Sequence, residues 1–129
     1  MLEKKVIPIQ ELINNEVLND ILELDDGDYG LLLELVGEFK GDFQTSSENL
    51  TQFVKTSDFD GVTSAAHKLK GTGANLGMKH FSKVAYEIEQ KGKNKDLENA
   101  DERIRYLIDS FDQTIDFYTN LFHEQGLEF

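Results

Sequence analysis

Cysteine is absent from this sequence of 129 residues. The absence excludes disulfide scaffolds, thiolate zinc sites, iron–sulfur clusters and cysteine nucleophiles, because each of these needs a thiol or thiolate group. A chain of this length can bury one hydrophobic core without disulfides or a structural metal. We therefore expect a single domain over residues 1–129.

Proline is almost absent as well, since it occurs once, at Pro8. Nothing after that position prevents helix formation, because proline is the residue that most disrupts a helix interior. The alternating runs of valine, isoleucine and threonine that indicate strands are also missing. These two absences favour an all-helical protein.

Long apolar runs and basic charge are both scarce. The first five residues are not followed by an apolar stretch of signal-peptide length, and no run approaches the ~20 apolar residues that span a bilayer. The formal net charge is -12, from 13 basic and 25 acidic residues, which argues against nucleic acid or anionic lipid as a partner. We expect a cytoplasmic protein whose acidic surplus covers solvated helix faces, with no nucleic acid and no membrane among its partners.

Apolar residues recur at helical spacing in five stretches of the chain. They predict a short N-terminal helix over about 9–24 and a bundle over about 28–124, with helices over about 29–55, 59–76, 79–91 and 97–124. Asp28 is an N-cap candidate for the first helix of the bundle, and Ser57 or Asp58 for the next. Short connections between amphipathic helices predict an all-α fold, an antiparallel four-helix bundle with a short additional N-terminal helix.

A histidine lies on the outer face of the helix predicted over 59–76. On a helical wheel at ~100° per residue, six residues share the core-facing arc: Phe59, Val62, Ala66, Leu69, Gly73 and Leu76. His67 lies ~130° from the centre of that arc, so its side chain is expected to face solvent. Most residues at helical spacing from it are small, which predicts an imidazole that is accessible from several sides.

Gly71 and Lys70 strengthen the case for a functional histidine. An exposed glycine inside a helix costs ~1 kcal/mol relative to alanine, and its missing side chain clears room beside His67, one turn away. Lys70 lies on the adjacent face, where its ammonium suits an anion at the imidazole. An imidazole with the ordinary pKa of ~6.5 is largely neutral in a cell and is a competent nucleophile. An exposed histidine beside a lysine also occurs by chance, so the residues alone leave both interpretations open.

The segment from Ala66 to Gly77 resembles the signature of the histidine-containing phosphotransfer (HPt) domains of two-component phosphorelays. That signature is a histidine, any residue, a hydrophobic residue, lysine and glycine, then small residues that end in Leu-Gly. His67-Lys68-Leu69-Lys70-Gly71 and Leu76-Gly77 fill every position. The resemblance covers about 29–90 and includes Ile88-Glu89, which resemble the Leu-Glu positions of the family's next helix.

The resemblance implies a phosphoryl carrier without kinase activity of its own. His67 would accept the phosphoryl group, Lys70 would support the phosphate charge, and Gly71 would allow close approach. The partners would be response-regulator receiver domains and a hybrid sensor histidine kinase. The chain would need no cofactor, because the receiver would supply the Mg²⁺. We expect a monomer, and the start and length of the chain favour a free-standing shuttle.

The receiver would dock near His67, on apolar residues shared by the helices predicted over 29–55 and 59–76. Phe39, Phe43 and Met78 are candidates for this docking surface. The core is the more natural place for Phe43 and Met78.

Three other functions compete with phosphotransfer. The phosphoacceptor region of a sensor kinase needs a nucleotide-binding motif, which is missing, and a proline a few positions after the histidine, where Thr72 and Gly73 stand. A metal-binding bundle needs Glu-x-x-His pairs, which are absent, and His80 and His123 are expected to be surface residues. A non-catalytic helical module that docks receivers or kinases without phosphotransfer remains the alternative.

Overall fold

The computed structural model describes residues 6–129. Residues 1–5, which contribute to the signal-peptide expectation and to the predicted domain, lie outside the described part. Within it the chain forms six helices and no strand, in agreement with the predicted all-α class. In chain order they are α1 (Ile9–Leu12), α2 (Asn15–Leu24), α3 (Gly30–Lys55), α4 (Phe59–Asn75), α5 (Lys79–Lys93) and α6 (Ala100–Glu124).

The segment predicted as one helix over 9–24 is two helices. Ile13 is extended, with φ -122° and ψ 137°, and pairs with Met78 in an isolated antiparallel bridge. The backbone N–H of Asn14 donates to the Gly77 carbonyl at 2.8 Å, and its side chain accepts from the first turn of α2. Local capping and a tertiary backbone hydrogen bond therefore outweigh the continuous apolar periodicity of this segment.

Carboxylates satisfy backbone N–H groups in the first turns of the next two helices. The N-cap of α3 is Tyr29, which makes no side-chain capping hydrogen bond, rather than the predicted Asp28. From the preceding turn, the Oδ1 of Asp28 accepts from the backbone of Gly30 at 3.1 Å, and the Oδ2 of Asp25 accepts from Leu31 at 3.0 Å. Asp58, one of the two predicted candidates, caps α4 by accepting from the Gly61 backbone at 2.9 Å. Each carboxylate accepts from an N–H that has no partner within the helix. Its negative charge also interacts favourably with the positive end of the helix dipole.

The turn after α4 requires glycine. Gly77 has φ +74°, where a side chain would be strained. A Cβ at this position would also lie 3.2 Å from the Asn14 carbonyl oxygen. The turn lets the N–H of Met78 close onto the Gly73 carbonyl at 2.8 Å, and α5 then starts in the opposite direction.

Helices α3 to α6 form the bundle, in which α3 and α5 each pack against both α4 and α6. The short helix α1 lies on α5 and α6, and α2 lies on α3. A phenylalanine cluster fills the centre. Phe43 and Phe111 are stacked at 3.9 Å, Phe39 is edge-on to both, and Phe81 is edge-on to Phe43. At the end of the bundle, the buried hydroxyl of Tyr118 donates to the Leu76 carbonyl, and burial raises the pKa of this phenol well above its ordinary value.

The packing places Phe43 and Met78 in the core, the location favoured for them from the sequence, so neither is an exposed docking residue. Phe39 is also buried, with its ring edge-on to other phenylalanines, and it lines an open space between α3 and α4. None of the helices between residues 6 and 129 has an apolar stretch long enough to cross a bilayer.

Candidate functional site

His67 stands on the outer face of α4, as the helical wheel predicts. Its side chain is 68% exposed, whereas Val62, Ala66 and Leu69 of the same helix are buried. Beside it, a Cβ added to Gly71 would meet nothing within 4 Å. The space on this side of the imidazole is therefore open to another molecule.

The imidazole is held by a carboxylate from α5. The Nδ1 of His67 lies 2.6 Å from the Oε2 of Glu89, whose side chain is only 2% exposed. An ionised carboxylate can only accept a hydrogen bond, so Nδ1 carries the proton in this contact. In the neutral ring, Nε2 then keeps its lone pair and is the free nitrogen.

Two lysines also face the Glu89 carboxylate. The Nζ of Lys70 lies 2.6 Å from Oε1, and the Nζ of Lys93 lies 3.9 Å from Oε2. The hydrogen bond from Lys70 is the main cause that lowers the pKa of Glu89, against the opposing effect of burial, with further lowering from His67 and from the charges of both lysines. Glu89 is therefore ionised at neutral pH, as the hydrogen bond to His67 requires.

Lys70 lies beside His67, but its ammonium is already engaged. Its side chain is 28% exposed and shares the Glu89 carboxylate with the imidazole. Its Nζ also lies 5.3 Å from the ring centroid of Tyr86, an exposed residue of α5. These contacts hold the positive charge next to the imidazole.

Sequence reasoning placed Glu89 in the family pattern without giving it a role. The available signal was its position on α5, one helical turn after Ala85 and next to Ile88, both of which are buried. A carboxylate in phase with an apolar stripe needs a buried partner, because an unpaired buried charge is very costly. The two closest partners, His67 and Lys70, lie on α4, and the sequence of α5 alone does not reveal them.

Glycines of α4 and α5 allow the two helices to pack closely against each other. A Cβ on Gly92 would lie 2.9 Å from the Thr63 backbone nitrogen and 3.1 Å from the Phe59 carbonyl oxygen. A Cβ on Gly73 would lie 2.6 Å from the ring of Phe81. The close approach brings Glu89 within hydrogen-bond reach of the outer face of α4.

The other two histidines lie away from this site. His123 is exposed near the end of α6, as expected. His80 is partly buried, which makes it less exposed than predicted, and its Nδ1 contacts the Ser110 hydroxyl at 2.9 Å. Burial and the nearby Lys83 charge lower the pKa of His80. Among residues 6–129, no three His, Asp or Glu side chains are grouped so that they could hold a metal ion.

An open groove runs between α3 and α4, next to the face that carries His67. Its volume is about 470 Å³. Apolar side chains of both helices line it, among them Leu35 and Phe53 of α3 and Ala65 and Leu69 of α4. We call it the α3–α4 groove.

These features define a helical-bundle protein that presents the imidazole of His67, oriented by a buried carboxylate, on an open surface. Comparison with known families gives the more particular assignment. The family model described as the Hpt domain matches residues 34–116, which is more than half of the chain and includes His67, Lys70 and Glu89. The chain belongs to the Hpt domain family.

Two curated proteins are similar to this chain. It is 26% identical over 101 residues to the phosphorelay intermediate protein YPD1 of Candida albicans, an alignment that covers 77% of this chain and 55% of that protein. It is 29% identical over 91 residues to the multistep phosphorelay regulator 1 of Schizosaccharomyces pombe, which covers 70% of this chain and 31% of that protein. The chain therefore matches about half of one relative's length and about a third of the other's. No solved structure gives a significant match.

Proposed function

We propose that this protein relays a phosphoryl group between receiver-domain aspartates through phospho-His67 in a two-component phosphorelay. The observation that carries the proposal is the Nδ1 contact with buried Glu89, which leaves an exposed Nε2 as the only nucleophilic position of the neutral ring. Membership of the Hpt domain family and similarity to two phosphorelay proteins support it.

The proposed transfer step balances without a co-reactant. The Nε2 lone pair attacks the phosphorus of a receiver's aspartyl phosphate in line with the bond that breaks, and the aspartate carboxylate leaves with the electron pair of that P–O bond. Nδ1 keeps its proton throughout. The phosphorylated ring then carries positive charge, which the Glu89 carboxylate stabilises at 2.6 Å. Transfer to the next aspartate is the reverse of this step.

Lys70 and Gly71 have supporting roles in this proposal. Lys70 supplies positive charge next to the phosphoryl group, and Gly71 leaves the space through which the receiver approaches. Such transfer depends mainly on positioning and charge stabilisation. The Mg²⁺ would come with the receiver, because Glu89, the buried carboxylate at His67, is already neutralised by Lys70, Lys93 and the imidazole.

Further properties belong to the same proposal. The carrier has no kinase activity and no cofactor of its own, and a hybrid sensor histidine kinase is the upstream partner. It works as a monomer in the cytoplasm, the compartment it would share with its receivers. Its net charge of -12 disfavours binding to nucleic acid or to anionic membranes.

Phosphate transfer from a phosphorylated receiver tests the proposal. We expect the wild-type protein to gain an acid-labile phosphate on His67, the His67→Gln variant to gain none, and His123→Gln, the exposed-histidine control, to behave as wild type. Equal labelling of His67→Gln would show that the assignment is wrong. Labelling of the wild type by ATP alone would show kinase activity, and docking without any transfer would favour the non-catalytic interaction module.

Replacement of Gly71 by leucine tests the steric part of the proposal. Because nothing lies within 4 Å of a Cβ at this position, leucine should be accommodated without loss of stability. It should nevertheless slow phosphotransfer from a receiver by about tenfold or more, because it fills the approach to His67. Thermal unfolding measures the stability of the variant, and stopped-flow kinetics measure its rate of phosphotransfer. An unchanged transfer rate would contradict the steric role of Gly71.

A further inference from the structure

The two walls of the α3–α4 groove carry opposite charges. Glu38 and Asp42 project from α3, and Lys68 projects from α4, and all three are exposed residues that line the groove. Among residues 6–129, none of the three side chains takes part in an ion pair or a side-chain hydrogen bond. Their charges are therefore available to a partner that enters the groove.

The groove and His67 can be covered by one partner. On the surface of α4, Gly71 and Ser64 lie ~40° and ~60° from His67 in the direction of Lys68. Both residues are small, and a Cβ on Gly71 would meet nothing within 4 Å. A molecule bound in the groove can therefore reach the imidazole across a part of the α4 surface that has only small side chains.

Charge identifies the occupant of this groove. A second copy of the chain, with a net charge of -12, would bring mainly acidic surface against Glu38 and Asp42. A receiver must instead place its anionic phosphoaspartyl group at His67, between Lys68 and Lys70 on the surface of α4. The part of the receiver that reaches across the groove then faces the two carboxylates of α3, where lysine or arginine is favoured.

We propose that the α3–α4 groove orients the receiver domain by charge, with Glu38 and Asp42 binding a basic patch of the receiver while Lys68 faces the side of the receiver that carries the anionic phosphoaspartyl group. This inference rests on the proposed phosphotransfer function and adds the residues that select among receivers. Exposed charges act mainly on encounter and orientation. Receivers without a basic patch at that distance from their aspartate are therefore poor partners.

The test compares two charge-matched double variants with the wild type. Glu38→Lys with Asp42→Lys reverses the charge of the α3 wall. Asp20→Lys with Asp116→Lys makes the same change in net charge at exposed positions of α2 and α6 that do not line the groove. The probe is the receiver domain that exchanges phosphate fastest with the wild-type chain in a receiver-by-receiver profile.

We expect the groove variant to raise the KM for that phosphorylated receiver by about tenfold or more at low salt, with kcat little changed. The control variant should change KM by less than about twofold. The difference should shrink as salt is raised, because salt screens exposed charges. In the same assay, glutamate substituted for the lysines or arginines of the receiver's patch should restore transfer to the groove variant.

Several results would overturn the inference. One is an equal change in KM in the groove and control variants, which would assign the effect to net charge. Another is a loss confined to kcat, which would place the effect at the chemical step. A third is a wild-type dimer in sedimentation that the groove variant dissociates, since it would assign the groove to a second copy. If the wild type takes no phosphate from any receiver, the proposed function itself is wrong. The wild-type assay alone shows this, so that outcome is distinct from a failure of the charge inference.

Discussion

At the scale of single residues, the chemistry of His67 depends on a carboxylate from another helix. Glu89 is almost fully buried, yet it is ionised because the Lys70 ammonium and the imidazole both donate to it. One residue therefore sets which imidazole nitrogen is free and where the neighbouring positive charge stands. Lys70, expected from sequence only as a phosphate-binding group, also neutralises Glu89.

The Glu89 contacts should make stability depend on pH in the acid range. The pKa of Glu89 is lowered in the folded state, so the unfolded chain binds the proton first as pH falls. The contribution of the ionised side chain is complete above the ordinary glutamate pKa of about 4.3 and is lost as pH falls through the lower folded-state pKa. The free energy of unfolding should therefore fall more steeply between about pH 5 and pH 3 for the wild type than for Glu89→Gln.

Urea denaturation at a series of pH values measures this difference. Glu48→Gln, which removes an exposed carboxylate of α3, is the matched control for the loss of one negative charge. Parallel profiles for the wild type and Glu89→Gln would contradict the role given to the ionised Glu89 side chain.

At the scale of helices, glycines on α4 and α5 serve opposite purposes. Gly92 is buried where the backbones of α5 and α4 come together, with the Thr63 nitrogen and the Phe59 carbonyl in the way of any Cβ. Gly71 lies on the open side of α4 with nothing near it. The first glycine permits the packing that delivers Glu89 to His67, and the second leaves His67 accessible.

Alanine substitutions should separate these two roles. Gly92→Ala is expected to destabilise the protein by about 2 kcal/mol, since backbone atoms rather than flexible side chains would have to move. Gly71→Ala is expected to stabilise it by about 0.5–1 kcal/mol, because alanine favours the helix and meets no obstacle. Chemical denaturation measures both values; a neutral Gly92→Ala would contradict the close approach of α4 and α5.

At the scale of the whole molecule, the excess of acidic groups destabilises the folded state. The chain has 25 acidic and 13 basic residues, and residues 6–129, which carry most of them, form one small bundle. Like charges at this density repel one another. A basic patch on the proposed receiver would be attracted by this overall negative field.

Salt should therefore stabilise the protein. Raising sodium chloride from about 10 mM to about 200 mM shortens the screening length from roughly 30 Å to below 10 Å, which weakens the repulsion between distant carboxylates more than the close contacts of Glu89. We expect the thermal midpoint to rise by a few degrees over this range. A midpoint that falls with salt would mean that attractive ion pairs outweigh the net repulsion.

The sequence by itself determined the helical class, the outward position of His67 and the openness around Gly71. These features follow from the 3.6-residue period of apolar side chains and from residue size, which act within a single helix. The match to the HPt signature depends on the same local spacing. The match to the signature is therefore unaffected by errors in the predicted helix boundaries.

Only the tertiary structure decided which helices pack together and which side chains contact one another between them. The break between Ile13 and Asn14 depends on a hydrogen bond to Gly77. The burial of Phe39 and Phe43 depends on ring contacts with Phe81 of α5 and Phe111 of α6. The partnership of Glu89 with His67 and Lys70 joins residues about 20 positions apart. Such contacts depend on packing between elements, because a helical period specifies the face of a residue but not what lies opposite it.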